Sequence, residues 1–304
     1  MYIRKMKLLS YSHPSTDHTP RFGAIGQAAD AATIIDLTSR MTGVRDLSDL
    51  LAQGRLDEAR SIVATADLDG GADVKETDVT FLRTLPSPGK IFCIGVNYGG
   101  RNAEYRPDEG AGQDAPTKPS VFVRFPSSFT GHGHDLVRPP ESPQLDYEGE
   151  IVAVIGTGGR RIPRSQARQH IAGLALGNEG TIRDWVRHAK FNVTQGKNWD
   201  SSGSIGPWMT TLDEIGDFEQ LHLTTHVNGE LRQDDTPATM AYPIEFQIEY
   251  LSTFCTLEPG DIIFTGTPTG AGARFDPPRF LEPGDVIEVS VPELGTLRNG
   301  VRDE

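Results

Sequence analysis

No apolar run in this 304-residue chain approaches the roughly 18 to 20 residues of a membrane span; the longest clear one is the pentad Ile151–Ile155. Apolar residues come instead in short runs parted by Pro and Gly turns, which restricts the chain to short strands and short helices. Strand patterns fall at Ser120–Phe125, Gly149–Ile155, Leu221–Val227, Asp261–Thr265 and Val286–Val291. Lys90–Val96 reads as a fully buried strand entering an Asn-Tyr-Gly-Gly turn at Asn97–Gly100. Ser165 is placed to cap a short helix ending near Gly173, and Ile244–Thr253 has helical spacing. The expected class is β-rich α+β.

Upstream, Lys7–Tyr11, Arg21–Ile25 and Thr33–Leu37 are strand-like, Asp46–Ala52 and Leu56–Thr65 are helical, and Asp69–Glu76 is an acidic connector. Pro86, Pro88 and Gly89 then interrupt the chain, so a boundary near Leu85 is expected. This gives a small N-terminal β-containing domain over 1–85 and a larger domain over 86–304. Acidic residues outnumber basic ones 42 to 29, a formal charge of −13 that disfavours nucleic acid and anionic membranes as partners. Cys93 and Cys255 lie far apart in apolar stretches, which suits reduced thiols better than a disulfide framework. Met1–Leu9 lacks a signal-peptide apolar stretch, and the expected location is cytoplasmic.

The chemistry concentrates in Asp146-Tyr147-Glu148-Gly149-Glu150. Strand alternation puts Glu148 and Glu150 on one face, where two carboxylates repel unless a cation neutralises them. An isolated Glu-x-Glu is more often a solvated strand edge, but a second acidic cluster follows in Asn178-Glu179-Gly180-Thr181-Ile182-Arg183-Asp184. Glu179 can supply a third oxygen ligand, and an oxygen-only set favours Mg²⁺ or Mn²⁺ over Zn²⁺. In isolation Glu179 and Asp184 would read as polar residues at a helix N-terminus. Lys197, in the turn Gly196–Asp200, can stabilise an oxyanion or move a proton, although a lone lysine is ordinarily a surface residue. The turn Thr265–Gly270 offers hydroxyls and amides that can hold a carboxylate. Gly156-Thr157-Gly158-Gly159 is not a dinucleotide loop, because Arg161 replaces the third glycine and Pro163 interrupts the segment.

From Lys90 to the C-terminus the sequence resembles the fumarylacetoacetate hydrolase family, in particular its bacterial 2-oxo-acid members. The resemblance rests on Ile94-Gly95-Val96-Asn97-Tyr98, Asp146-Tyr147-Glu148-x-Glu150, Arg183-Asp184, Lys197–Asp200, Gly206-Pro207-Trp208, Val227–Glu230, Leu257–Asp261, Thr265–Pro268 and Pro283-Gly284-Asp285. It implies a mixed β-sandwich roll preceded by a small N-terminal domain and assembled as a homodimer. It further implies Mg²⁺ or Mn²⁺ held by Glu148, Glu150 and Glu179, the last standing where the family usually has aspartate. Lys197 falls on the family's lysine, and Thr267 on its substrate-carboxylate threonine. The substrate-binding set expected here is Thr267, Arg183 and Arg101.

Two departures bear on mechanism. The family's His-x-x-Glu pair, which activates water, corresponds to Arg101 and Glu104, and arginine stays protonated near neutral pH. The glutamine often found two residues after Arg-Asp is Val186. His188, His132 and His134 are the histidines considered as a substitute base, each more readily a surface or supporting residue. The first expectation is a divalent-metal-dependent hydrolase that cleaves a C–C bond in a small 2,4-dioxo acid of the acylpyruvate type through a metal-bound enolate. Lys197, Glu104 and Arg101 are its expected catalytic residues. The alternative keeps the enolate and gives an isomerase, tautomerase or decarboxylase of an unsaturated or oxo dicarboxylic acid, like a 2-hydroxyhepta-2,4-diene-1,7-dioate isomerase. A third reading is a protein that binds an oxo acid without turning it over.

Overall fold

All seven residues of Gly149–Ile155 are buried, and this strand is hydrogen-bonded on one side to Ile171–Asn178 and on the other to Ile262–Phe264. Its length, β-branched content and two-sided pairing are those of a central strand. The computed structural model to which it belongs describes residues 6–27, 32–68, 74–100, 118–190 and 192–304. Successive side chains leave a strand on opposite faces, so Ile151, Ala153 and Ile155 enter one core while Val152 and Val154 enter another. A five-stranded sheet covers the first core through residues such as Leu223, Ile287, Val289 and Leu297. The helices Leu47–Ala52 and Leu56–Leu68 cover the second through Leu47, Leu50, Leu51, Ala59 and Val63. Asp46 caps the first of these helices, its Oδ1 accepting the Asp49 N–H at 2.9 Å.

The principal sheet has twelve strands. Its spine runs from Val74–Lys75 through Ala32–Asp36, Arg21–Gln27, Lys7–Ser12, Gly203–Thr211, Ile171–Asn178, Gly149–Ile155, Ile262–Phe264 and Ile91–Gly95 to Ser120–Val123. The N-terminal strands therefore extend the same sheet as the segment that follows Leu85. The junction is the pairing of Lys7 with Thr210 and of Leu8 with Met209. Leu8 and Met209 are fully buried in the core that also holds Val152 and Phe264.

Most expected strands lie within two residues of their predicted bounds. Ser165 does not cap a helix. Pro163 occupies the N-cap, the turn Arg164–His170 is 3₁₀ and carries no side-chain cap, and Gly173 belongs to the strand that starts at Ile171. Extended pairing to both neighbours outweighs the short helical pattern there. Among the strands absent from the sequence reading are the two longest, Gly203–Thr211 and Gly295–Asp303. The first contains Pro207, which cannot donate to a ladder. Its pairing with Ile171–Asn178 shifts register between Leu174 and Leu176, and the proline falls within that irregularity. Among the described residues no helix is long and apolar enough to cross a membrane.

Two outcomes follow from this packing. Leu8→Ala is expected to destabilise the protein by about 2–5 kcal/mol in urea unfolding, with a single transition, because the N-terminal strands share a core with the central sheet. The second concerns the thiols. Burial pushes the Cys93 thiol well above its ordinary pKa, so a thiol-specific dye is expected to label Cys93 only after denaturation.

Candidate metal centre

The backbone brings the acidic residues together before any side-chain chemistry acts. Gly149 pairs with Asn178 and Glu150 with Gly177. Just beyond the ladder, the Glu179 N–H donates to the Glu148 carbonyl at 2.7 Å, and the Glu148 N–H donates to Asn178 Oδ1 at 2.9 Å. A second short ladder pairs Asp146 with Thr181. Between the two ladders the chain turns at Gly180, where a Cβ would stand 1.7 Å from the Ser202 carbonyl oxygen. Only glycine allows that approach.

Glu148, Glu150 and Glu179 are thereby gathered so that one carboxylate oxygen from each lies within 4.8 Å of the others, and all three side chains are buried. The Gly266 N–H donates to Glu150 Oε2 at 2.7 Å, from a backbone with φ +105° that glycine adopts readily. Burial raises the Glu150 carboxyl pKa well above its ordinary value, and the charges of Glu179 and Glu148 raise it further. Glu179 Oε1 is buried and makes no hydrogen bond. Three close carboxylates and an oxygen without a donor fit a hard divalent cation such as Mg²⁺ or Mn²⁺.

Lys197 ends the helix Val193–Lys197, whose N-cap is Asn192. Its ammonium pairs with Glu148 Oε2 and lies 3.3 Å from Glu179 Oε2. Burial disfavours its charge, but the adjacent Glu148 and Glu179 carboxylates prevail and hold its pKa above the ordinary lysine value. Arg183 bridges two acids, with Nε 2.6 Å from Asp146 Oδ2 and Nη2 2.7 Å from Glu148 Oε1. Thr267 follows Gly266, and its hydroxyl donates to the Gly149 carbonyl at 2.9 Å.

Six of the expected site residues thus converge: Glu148, Glu150, Glu179, Lys197, Arg183 and Thr267. Arg101 and Glu104 lie outside the described residues. The three histidines are engaged elsewhere. His188 stacks on Trp185 at 4.0 Å, His132 Nδ1 accepts the Arg298 N–H at 3.1 Å, and His134 Nε2 is 2.8 Å from the Phe81 carbonyl oxygen.

Two buried residues were missed from sequence. Gln233 accepts the Gly149 N–H through Oε1 at 2.9 Å and donates through Nε2 to Thr267 Oγ1 at 2.9 Å, fixing the backbone between the two glutamates. Nothing in the polar run Arg232–Asp235 distinguishes it. Arg124 stands behind Glu179, with Nη1 3.9 Å from Glu179 Oε1. Its one sequence signal is a lone cation in the apolar run Val121–Phe125.

A β-sandwich whose central strand opens on a buried carboxylate triad defines an acidic metal-site architecture, and the comparisons give it a family. The family model for the fumarylacetoacetate (FAA) hydrolase C-terminal region matches residues 90–302. The chain belongs to the fumarylacetoacetate hydrolase family, and the FAH-like fold is confirmed. It is 41% identical over 229 residues to the oxaloacetate tautomerase YisK of Bacillus subtilis, covering 74% of each chain. Among solved structures, a fumarylacetoacetate hydrolase from psychrophilic Exiguobacterium antarcticum aligns with TM-score 0.81 and 31% identity, over 98% of this chain and 100% of that one. Maleylpyruvate hydrolase from Sphingobium sp. SYK-6, in complex with manganese(II) ion and pyruvate, aligns with TM-score 0.77 and 25% identity, over 98% and 99%. Relatives of this chain include enzymes of that family.

Replacing Glu150 with Gln separates the two electrostatic demands on the triad. Chelated Glu150→Gln protein is expected to melt at a higher temperature than the chelated parent, because a buried like charge is gone. Its stabilisation by added Mn²⁺ is expected to vanish, with affinity down more than about 100-fold by titration calorimetry.

Proposed function

We propose that the protein is a divalent-metal-dependent tautomerase that interconverts the keto and enol forms of a small 2-oxo dicarboxylic acid of the oxaloacetate type. The observation that carries this reading is the buried ammonium of Lys197 set against the carboxylate triad, in a chain 41% identical to an oxaloacetate tautomerase. Glu148, Glu150 and Glu179 would hold Mg²⁺ or Mn²⁺, which when bound polarises the substrate's 2-oxo group.

The remaining work falls to side chains. Lys197, kept charged by Glu148 and Glu179, stabilises the enolate oxygen and holds a proton to return to the adjacent carbon. Glu104 takes up the enol proton, so the substrate keeps its proton count, and the enzyme resets when Glu104 releases a proton to solvent and Lys197 regains one. Arg183 keeps Glu148 in place, and Thr267 and Arg101 are the residues assigned to the substrate carboxylates. Four carboxylates (Asp146, Glu148, Glu150, Glu179) are opposed by Arg124, Arg183 and Lys197. A divalent ion turns that balance positive, as a dianionic substrate requires.

The competing reading is hydrolytic C–C cleavage of an acylpyruvate, the kind of activity named for the Sphingobium neighbour. It needs a paired histidine and carboxylate to activate water, and of that pair the sequence supplies only the carboxylate, Glu104. Arg101 occupies the position of the family histidine, and a guanidinium does not serve as a base. Proton transfer through the enolate needs no activated water.

The deciding assay follows ketonisation of freshly dissolved enol-oxaloacetate by ultraviolet absorbance, alongside proton NMR of acylpyruvates, each with Mg²⁺ or Mn²⁺ and with chelator. Metal-dependent ketonisation without fragments is expected. Lys197→Ala is expected to lower kcat by about 10²- to 10⁴-fold. Wild-type turnover in that variant, or pyruvate and a second acid as the favoured products, would overturn the assignment.

A further inference from the structure

Among the described residues, Arg124 is a fully buried guanidinium that stands behind the triad, and no substrate-facing role accounts for it. It lies just past the strand Ser120–Val123, with its side chain wholly withdrawn from solvent. Each of its three nitrogens donates, through four of the five N–H groups. Nε donates to Ser128 Oγ at 3.1 Å, Nη1 to the Gly180 carbonyl at 3.0 Å, and Nη2 to Ser202 Oγ at 3.0 Å and the Ser128 carbonyl at 3.4 Å. The guanidinium plane rests over the Phe129 ring at 4.2 Å. A long cationic side chain held at four acceptors and one aromatic face has no freedom to swing toward a substrate.

What these anchors immobilise is the residue pair Glu179-Gly180. The Gly180 carbonyl is bonded directly, Ser202 supplies the wall that Gly180 grazes, and the Glu179 carboxylate lies 3.9 Å from Nη1 without a hydrogen bond to it. At that separation the guanidinium attracts the carboxylate but leaves Oε1 free to coordinate. The position also differs from the family pattern in being Glu, whose additional torsion widens the range the carboxylate can explore.

We infer that Arg124 is a positioning residue that fixes the longer third ligand, Glu179, in coordinating geometry. The inference rests on the divalent-metal reading of the triad, and its test separates the two. Mn²⁺ binding is measured by titration calorimetry and by the electron paramagnetic resonance of free and bound Mn²⁺, for the full chain and for Arg124→Met, Arg124→Lys, Glu179→Asp and Arg124→Met/Glu179→Asp. If the parent protein binds no Mn²⁺, the metal reading itself falls. If it binds, Arg124→Met is expected to weaken affinity roughly 10- to 100-fold and to broaden the bound-Mn²⁺ signal.

Simple charge repulsion predicts the opposite direction, because removing a cation beside a cation site tightens binding. Unchanged or tighter Mn²⁺ affinity in Arg124→Met therefore overturns the inference. In the Glu179→Asp background the further loss from Arg124→Met is expected to shrink below about threefold, since residues that act through one another are not additive. Full additivity overturns it equally. If Arg124→Met does not fold, Arg124→Lys decides: a lysine keeps the charge but not the four-point anchoring, and its affinity is expected to fall by about tenfold or more.

Discussion

The pairing of Gly149–Ile155 with Ile171–Asn178 obliges Glu148, Glu150 and Glu179 to share one dry volume, and much of the neighbouring structure answers that crowding. Like charges at such separations raise one another's proton affinity, as Glu150 shows, unless cations or donors are supplied. Lys197 arrives from a short helix, Arg183 from the strand end after the Gly180 turn, Arg124 from the far edge of the sheet, and the Gly266 N–H from the strand on the other flank. Each of these groups is itself buried or held, so the local arrangement is set by electrostatic need as much as by packing. A divalent cation would complete a balance the protein leaves short of positive charge.

How far this was legible in the sequence depends on the range of the interaction. Gly149–Ile155 and Val286–Val291 were readable because β-branched residues sit between turn residues, and their observed bounds match those expected. Glu148, Glu150 and Glu179 were readable because two acidic clusters, not one, border apolar runs. Gly203–Thr211 was not, since glycine, proline and threonine carry no periodic signal and burial there comes from neighbours remote in sequence. Ser165 misled for a related reason: a local cap preference yielded to the ladder that begins at Ile171.

Arg124 and Gln233 show the limit most clearly. Arg124 reaches Gly180 and Ser202, and Gln233 reaches Gly149 and Thr267, all across long stretches of chain. No spacing rule encodes such meetings. What the sequence does carry is oddity, a lone arginine in an apolar run, whose explanation appears only when the sheet is assembled.

The strand Gly203–Thr211 pairs through Met209 and Thr210 with the N-terminal strand and through Ser204 with Asn178, the residue that precedes Glu179. One rod of backbone therefore runs from the amino-terminal strands to the acidic pocket. Excising those strands would bare a row of unsatisfied amides and carbonyls on it, a surface that recruits other chains edge to edge. The matched family region, produced by itself, would carry both a sticky flank and a loosened wall behind its acids. For this fold the amino-terminal part continues and covers the sheet, and its loss is better understood as an aggregation hazard than as a trimmed appendage.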